Sequence, residues 1–200
     1  GYLPQMLKSF SEPFADSSAL PSLLLNSVVK KDVTVALSGD GGDESFLGYY
    51  HFDLLVKMKK LYKIPFFLRK LVANTVLIKF LGKPSESIKN ALQSRDITGI
   101  FKYIYVGFKT LLRERDLKWL LFYKPYKHLA NNYLQQAADF HIKLWLENDS
   151  NVKVDRASMA YSVEVRSPFM DHRIVEFART LPVSYRYGKK KKKKILRDIL

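Results

Sequence analysis

Along the chain the spacing of apolar residues changes, and the changes mark the elements. Val33, Val35, Ala36 and Leu37 form a short run with β-branched members and no polar face. That pattern predicts a strand covered on both sides in a parallel sheet. The run stops at Ser38, and from Asp43 to roughly Tyr62 the residues Phe46, Tyr49, Tyr50, Leu54, Leu55 and Met58 give the broad apolar face of a helix. Upstream, Leu20, Leu23, Leu24, Leu25 and Val28 lie on one side of a helix that Ser17 or Ser18 is placed to cap, while Gly1 to Ser11 reads as a lead-in with little pattern. Downstream, Pro65 suits the first turn of a helix ending near Gly82-Lys83-Pro84. Ser85 to Phe122 reads as two or three more helices without assignable chemistry. Leu129 to Leu146 predicts another helix, Asn148 to Ser150 a loop, and Asp171 the N-cap of a helix running through Ile174, Val175 and Phe177 to Leu181-Pro182. The end, from Lys194 to Leu200, also reads as helical.

Chemistry concentrates in two stretches. Between the strand and the helix after it, Ser38 to Glu44 reads SGDGGDE. Gly39, Gly41 and Gly42 permit positive φ and close ligand approach, and Asp40, Asp43 and Glu44 place three carboxylates in five positions. A glycine-rich acidic turn at the carboxyl end of a parallel strand is a common ligand position. Its acids suit Mg²⁺, which brings substrate phosphates with it, better than they suit phosphate itself. An acidic surface turn held only by helix caps fits the same spacing. In the second stretch Asp155, Arg156, Ser158, Glu164, Arg166 and Asp171 alternate with Met159, Val163, Val165, Pro168, Phe169 and Met170. So many charges beside apolar residues need mutual pairing where they are buried, so they form either an ion-pair network or the wall of a site.

Composition narrows the classes. Two hundred residues, 47% of them hydrophobic, suffice for one domain or part of one. The absence of cysteine excludes disulfides, thiolate metal sites and a cysteine nucleophile, and fits the cytoplasm. His51, His128, His141 and His172 show no paired metal spacing, which leaves core or surface roles. No stretch reaches the roughly 18 uninterrupted apolar residues of a spanning helix, the nearest, Ile64 to Leu81, being broken by Arg69, Lys70 and Lys79. The net charge of +15 raises nucleic acid as a partner, yet Lys189 to Lys194 supply six of those charges. A lysine run of this kind reads as a solvated face or a low-complexity expansion, and nucleic acid is not the expected ligand.

SGDGGDE followed by F-x-G-Y, EPFADSSALP upstream (Glu12 to Pro21) and VKVDRASMAYSVEVRSPFMDHRIVEF downstream (Val152 to Phe177) together resemble the synthetase domain of glutamine-hydrolysing asparagine synthetases. The resemblance implies an α/β fold of the ATP-pyrophosphatase type, of which these residues would form a mainly helical part with one or two buried parallel strands. It implies an ATP-dependent ligase that turns aspartate, or a related acid, into its amide through an acyl-adenylate, with ammonia derived from glutamine. ATP and Mg²⁺ would be the cofactors, and a homodimer the full-length form. Asp40 would act in forming the acyl-adenylate and handling ammonia, Glu44 would be a further catalytic acid, and Asp171 would help bind metal-pyrophosphate or position substrate. Ser38 and Gly39 would meet the nucleotide, Asp16 and Ser17 would lie near nucleotide and acid, and Arg166 would organise the wall. Asp43, with Glu44, would hold Mg²⁺.

The departures are as informative. The family's SGGxDS pyrophosphate loop and the glutaminase half with its initiating cysteine do not occur in these residues, and the family's catalytic lysine is expected beyond Leu200. Leu47 stands where the family has glycine, and Ser167 where it has valine. The expectation is therefore part of a synthetase domain, with negligible amide synthesis by these residues alone. A basic nucleic-acid-binding module and a non-catalytic helical subunit completed by another chain are the alternatives.

Overall fold

A computed structural model describes residues 1–74, 92–95, 132–188 and 191–200. The predicted helical end near Gly82-Lys83-Pro84, the helices of Ser85 to Phe122 apart from residues 92–95, and His128 lie outside the described residues. The lead-in expected at the N-terminus is a helix, α1 (Tyr2–Ser9), packed on α2 (Ala19–Val29). The strand β1 (Val35–Leu37) follows.

The single helix expected from Asp43 to Tyr62 is broken into α3 (Gly42–Ser45) and α4 (His51–Leu61). The break has a local cause. Leu47 adopts φ 57°, a left-handed conformation that an α-helix cannot continue through, at the position where the resembled family carries glycine. Leu47 tolerates it because its side chain is fully buried with Phe52 and Leu55, and each such residue contributes about 2 kcal/mol of burial. Pro65 precedes α5 (Phe66–Asn74) as expected.

The helix α6 (Tyr133–His141) runs directly into a π-helical segment (Ile142–Ser150) and then α7 (Asn151–Met159). The loop expected at Asn148 to Ser150 is thus continuous helix of wider register. A second strand, β2 (Glu164–Arg166), pairs parallel with β1, Val35 opposite Glu164 and Leu37 opposite Arg166. A 3₁₀ turn (Pro168–Met170), α8 (His172–Thr180), α9 (Val183–Arg186) and α10 (Lys194–Ile199) complete the described chain.

The result is a mostly helical structure around a small parallel sheet. The strands are not buried on both faces as expected: Val35 is 42% and Leu37 75% exposed, and only the face carrying Ala36 and Val165 is half-covered. Helix α7 packs against α2 and β2, while the main core lies elsewhere, between α4, α5 and α6, where Leu47, Phe52, Leu55, Ala73, Leu134 and Ala138 meet. The acidic loop after β1 lies between these two regions, with α3 against both α6 and α8. Among the described residues no helix is long and apolar enough to cross a membrane.

Candidate active site

The loop after β1 is built by its glycines. Ser38 extends the strand ladder by donating its N–H to the Arg166 carbonyl at 2.9 Å, and the Gly42 N–H then returns to the Gly39 carbonyl at 3.2 Å. Gly41 has φ +84°, and a Cβ there would lie 2.7 Å from Met170 Cγ and 3.2 Å from the Phe169 carbonyl oxygen. Gly42 likewise lies under the Phe169 ring, which meets Phe46 edge to face at 5.9 Å. Absent side chains therefore allow the Pro168–Met170 turn to seat on the loop, and the two informative stretches of the sequence become one site.

Asp40 is its central acid. One carboxylate oxygen, Oδ2, accepts from Ser38 Oγ, whose own oxygen accepts the Asp40 N–H at 3.3 Å. The other, Oδ1, accepts from Ser150 Oγ at 3.2 Å. Asp40 also borders a cavity of ≈ 240 Å³ whose walls include Asp155, Ser158, Met159, Glu164 and Ser167. Gly39 opens onto free space, with nothing within 4 Å of where a Cβ would stand.

Asp43 and Glu44, adjacent in sequence, face different surroundings. Asp43 points outward and pairs with Lys193, Nζ to Oδ2 at 3.0 Å. Gly48 makes room for this pair, since a Cβ there would overlap Asp43 Oδ1 and Lys193 Cε. Glu44 is 2% exposed and accepts from Tyr49 Oη at 2.6 Å. Burial pushes its carboxyl up, Tyr49 opposes this, and the charges of Asp43 and Asp40 add to it; Tyr49 is itself pushed up by burial and by Glu44. Glu44 is not among the residues that line the cavity beside Asp40. Glu44 thus faces Tyr49 and the core, while Asp43 faces Lys193.

Asp16 lies at the start of α2, and the cap expected from Ser17 or Ser18 does not form; instead Asp16 accepts from the Ser18 N–H at 2.9 Å and Oγ at 2.8 Å. Lys153 on α7 reaches it at 2.6 Å, and Asp149 stands beside it, 3.9 Å from Lys153. Burial disfavours the Asp16 charge, but Lys153 and Ser18 outweigh it and hold the carboxyl down at about 2. Burial and the neighbouring Asp16 push Asp149 up to about 6 against the opposing pull of Lys153. Ser17 is exposed.

The side chains of the remaining expected residues pair with close neighbours in sequence. Arg166 pairs with Glu164 at 2.8 Å on the surface. Asp171 caps α8 through the Arg173 N–H at 2.9 Å and pairs with the Arg173 guanidinium at 2.7 Å, which holds its carboxyl well below the usual range. The charges of the second stretch thus form short local pairs rather than one buried network. His51 and His141, expected in core or surface roles, stack in the core at 4.2 Å between ring centroids, and burial lowers them to about 4 and about 2.

Sequence reasoning missed Lys193, Lys153, Ser150 and Tyr49. The lysine run is not simply a solvated face: Lys191 and Lys194 pair with Asp198, Lys192 with Asp53, and Lys193 with Asp43. Uniformity hid this, because nothing in six equal residues distinguishes the one that lands on the loop. Lys153 was more legible, three residues ahead of Arg156 on one helix.

Among the described residues no group of three or more His, Cys, Asp or Glu side chains gathers as a metal cage. Asp43 nonetheless fits a cation. An ammonium already stands on its carboxylate, and Mg²⁺ commonly takes one or two protein carboxylates with substrate phosphates completing its shell.

The chain is 29% identical to glutamine-hydrolysing asparagine synthetase 1 of Bacillus subtilis, over 90% of this chain and 30% of that protein. It is 28% identical to a putative glutamine-hydrolysing asparagine synthetase of Mycobacterium bovis, over 99% of this chain and 32% of that protein. A shorter stretch, 30% of this chain and 12% of the relative, is 45% identical to a putative asparagine synthetase of Methanocaldococcus jannaschii. The chain thus spans about a third of the length of the first two relatives. No solved structure gave a significant match. The asparagine synthase family profile matches residues 1–200, the whole of the chain, and the chain belongs to that family.

Proposed function

We propose that this chain forms part of a cytoplasmic ATP-dependent ligase that makes asparagine, or a related amide, from aspartate or a similar acid. The observation that carries the reading is Asp40, held at the carboxyl end of β1 by two serine hydroxyls and opening onto a cavity, with a half-buried Asp43–Lys193 pair three residues on.

The chemistry follows from the cost of making an amide from a carboxylate, which needs a leaving group on the acyl carbon. The acid's oxygen attacks the α-phosphorus of ATP and pyrophosphate departs. Ammonia from glutamine then attacks the acyl carbon, AMP departs, and one proton is lost. Asp40 is placed to take that proton or to hold the attacking ammonia, its two oxygens fixed from opposite sides. Asp43 would hold Mg²⁺, which when bound neutralises charge on the leaving pyrophosphate. Lys193, freed from Asp43, would put an ammonium near the same phosphates. Ser38 and Gly39 would meet the nucleotide, and Gly39 has open space where a side chain would stand. The 200 residues contain no SGGxDS loop, so ammonia-dependent turnover by them alone is expected to be negligible.

The test is titration calorimetry of Mg²⁺-ATP and Mg²⁺-AMP at moderate salt, comparing the chain with Asp43→Ala. Heat that requires both Mg²⁺ and Asp43 supports the reading. Binding unchanged by Asp43→Ala refutes the assignment of Asp43, and binding to tRNA or DNA with a steep salt dependence, in place of nucleotide, refutes the ligase reading.

A further inference from the structure

We infer that Ser150 is a positioning residue for Asp40, delivered to it by the π-helical register of Ile142–Ser150. The inference rests on the catalytic reading of Asp40 given above. Asp40 is held on one side by its own loop, through Ser38, and on the other by a hydroxyl 110 residues away in sequence. Ser38 alone leaves the carboxylate free to rotate about χ1 and χ2; a second donor on the other oxygen fixes the plane. Ser150 is 7% exposed, so the donor side of its bond to Asp40 is shielded from water.

The wide register explains how the hydroxyl arrives there. Closing i to i+5 instead of i to i+4 turns nine residues through about half a turn less than an α-helix does. The core-facing phase of α6, set by Leu134, Ala137 and Ala138, is thereby offset from the phase of α7, which faces α2. Wound as an α-helix, the same residues could not keep both α6 in the core and Ser150 toward Asp40. The end of the segment is tied at the neighbouring position: Asp149 lies against Asp16 and Lys153, and Lys153 bonds the loop before α2. Each Asp40 oxygen thus has its own hydroxyl donor, Ser38 on Oδ2 and Ser150 on Oδ1.

The experiment uses the isosteric pair Ser150→Thr and Ser150→Val in the full chain, with Ser150→Ala as a third variant. In protein labelled with ¹³C-aspartate, the Asp40 carboxyl resonance, assigned by its loss in Asp40→Asn, should move in Val and return in Thr. Amide formation is read with the SGGxDS-bearing part of a synthetase joined to the chain. There kcat is expected to fall about tenfold for Val and Ala, with KM for ATP unchanged, and to recover in Thr. A resonance unmoved in Val overturns the inference whatever the activity shows. A moved resonance with kcat unchanged overturns the catalytic half. Joined wild-type protein that activates no acid overturns the ligase reading, and the catalytic half with it, while the resonance still reports separately whether Ser150 holds Asp40.

Discussion

Replacing Asp149 by asparagine should stabilise the protein at alkaline pH and leave it unchanged in acid. Asp149 is a quarter exposed and sits beside Asp16, which already has Lys153 at 2.6 Å against 3.9 Å for Asp149. Its Oδ1 accepts no hydrogen bond. One lysine thus serves two carboxyls, and the one it serves less well is raised from 3.8 to about 6. At about 1.4 kcal/mol per unit, the shift corresponds to about 3 kcal/mol. The carboxyl keeps some contact with water, and the two acids titrate as a pair, so about 1 to 2 kcal/mol is the expected net effect.

The sign follows from linkage. The folded state holds the Asp149 proton up to about pH 6 and the unfolded chain only to about 3.8, so this group favours folding below 3.8 and loses that contribution as pH rises through 6. The asparagine side chain of the variant never ionises. Urea unfolding followed by far-UV circular dichroism should therefore show Asp149→Asn more stable than wild type at pH 8, by less at pH 5, and equal at pH 3.5. His51 and His141 titrate in both proteins and cancel in the difference. Equal stability changes at pH 8 and pH 3.5, or a loss at pH 8, would refute the reasoning.

Three further substitutions probe the loop. Tyr49→Phe leaves the buried Glu44 without its donor at 2.6 Å and should cost about 1 to 3 kcal/mol in urea unfolding at pH 7; a change under about 0.5 kcal/mol counts against the contact. Gly48→Ala drives a methyl into Asp43 and Lys193, costing about 1 to 3 kcal/mol by the same measurement and weakening Mg²⁺-dependent nucleotide binding. Leu47→Gly relieves a φ of 57° but removes a fully buried side chain; about 1 kcal/mol of relief against about 3 of lost burial predicts a net loss near 2 kcal/mol. A more stable Leu47→Gly would show that backbone strain dominates at this position.

What could be read from the sequence was local. The apolar run at Val33 to Leu37, Pro65 before α5, Asp171 as the cap of α8 and the ligand-like grammar of SGDGGDE all follow from neighbours within a few residues. The β1–β2 pairing spans more than 120 residues, and the three residues of β2 sit in a stretch whose charges spoke more loudly than its Val165. Helix α1 was missed because Leu3 and Leu7 remain exposed, so its periodicity answers to no core that the sequence could reveal.

The site divides along the same line. Spacing placed Asp40, Asp43 and Glu44 on one turn, yet their roles are decided by what reaches them from elsewhere: Ser150 to Asp40, Lys193 to Asp43, and Tyr49 to Glu44. Two of these partners lie 110 and 150 residues away, and only Tyr49 is local. Glu44 is therefore the one acid whose partner among these three lies within five residues in sequence. A carboxylate motif read from sequence fixes where charges enter a loop; the donors that give each of those charges its own surroundings come from the fold, and here two of them come from a wide helical turn and a lysine run that sequence alone treated as a loop and as solvent-facing chain.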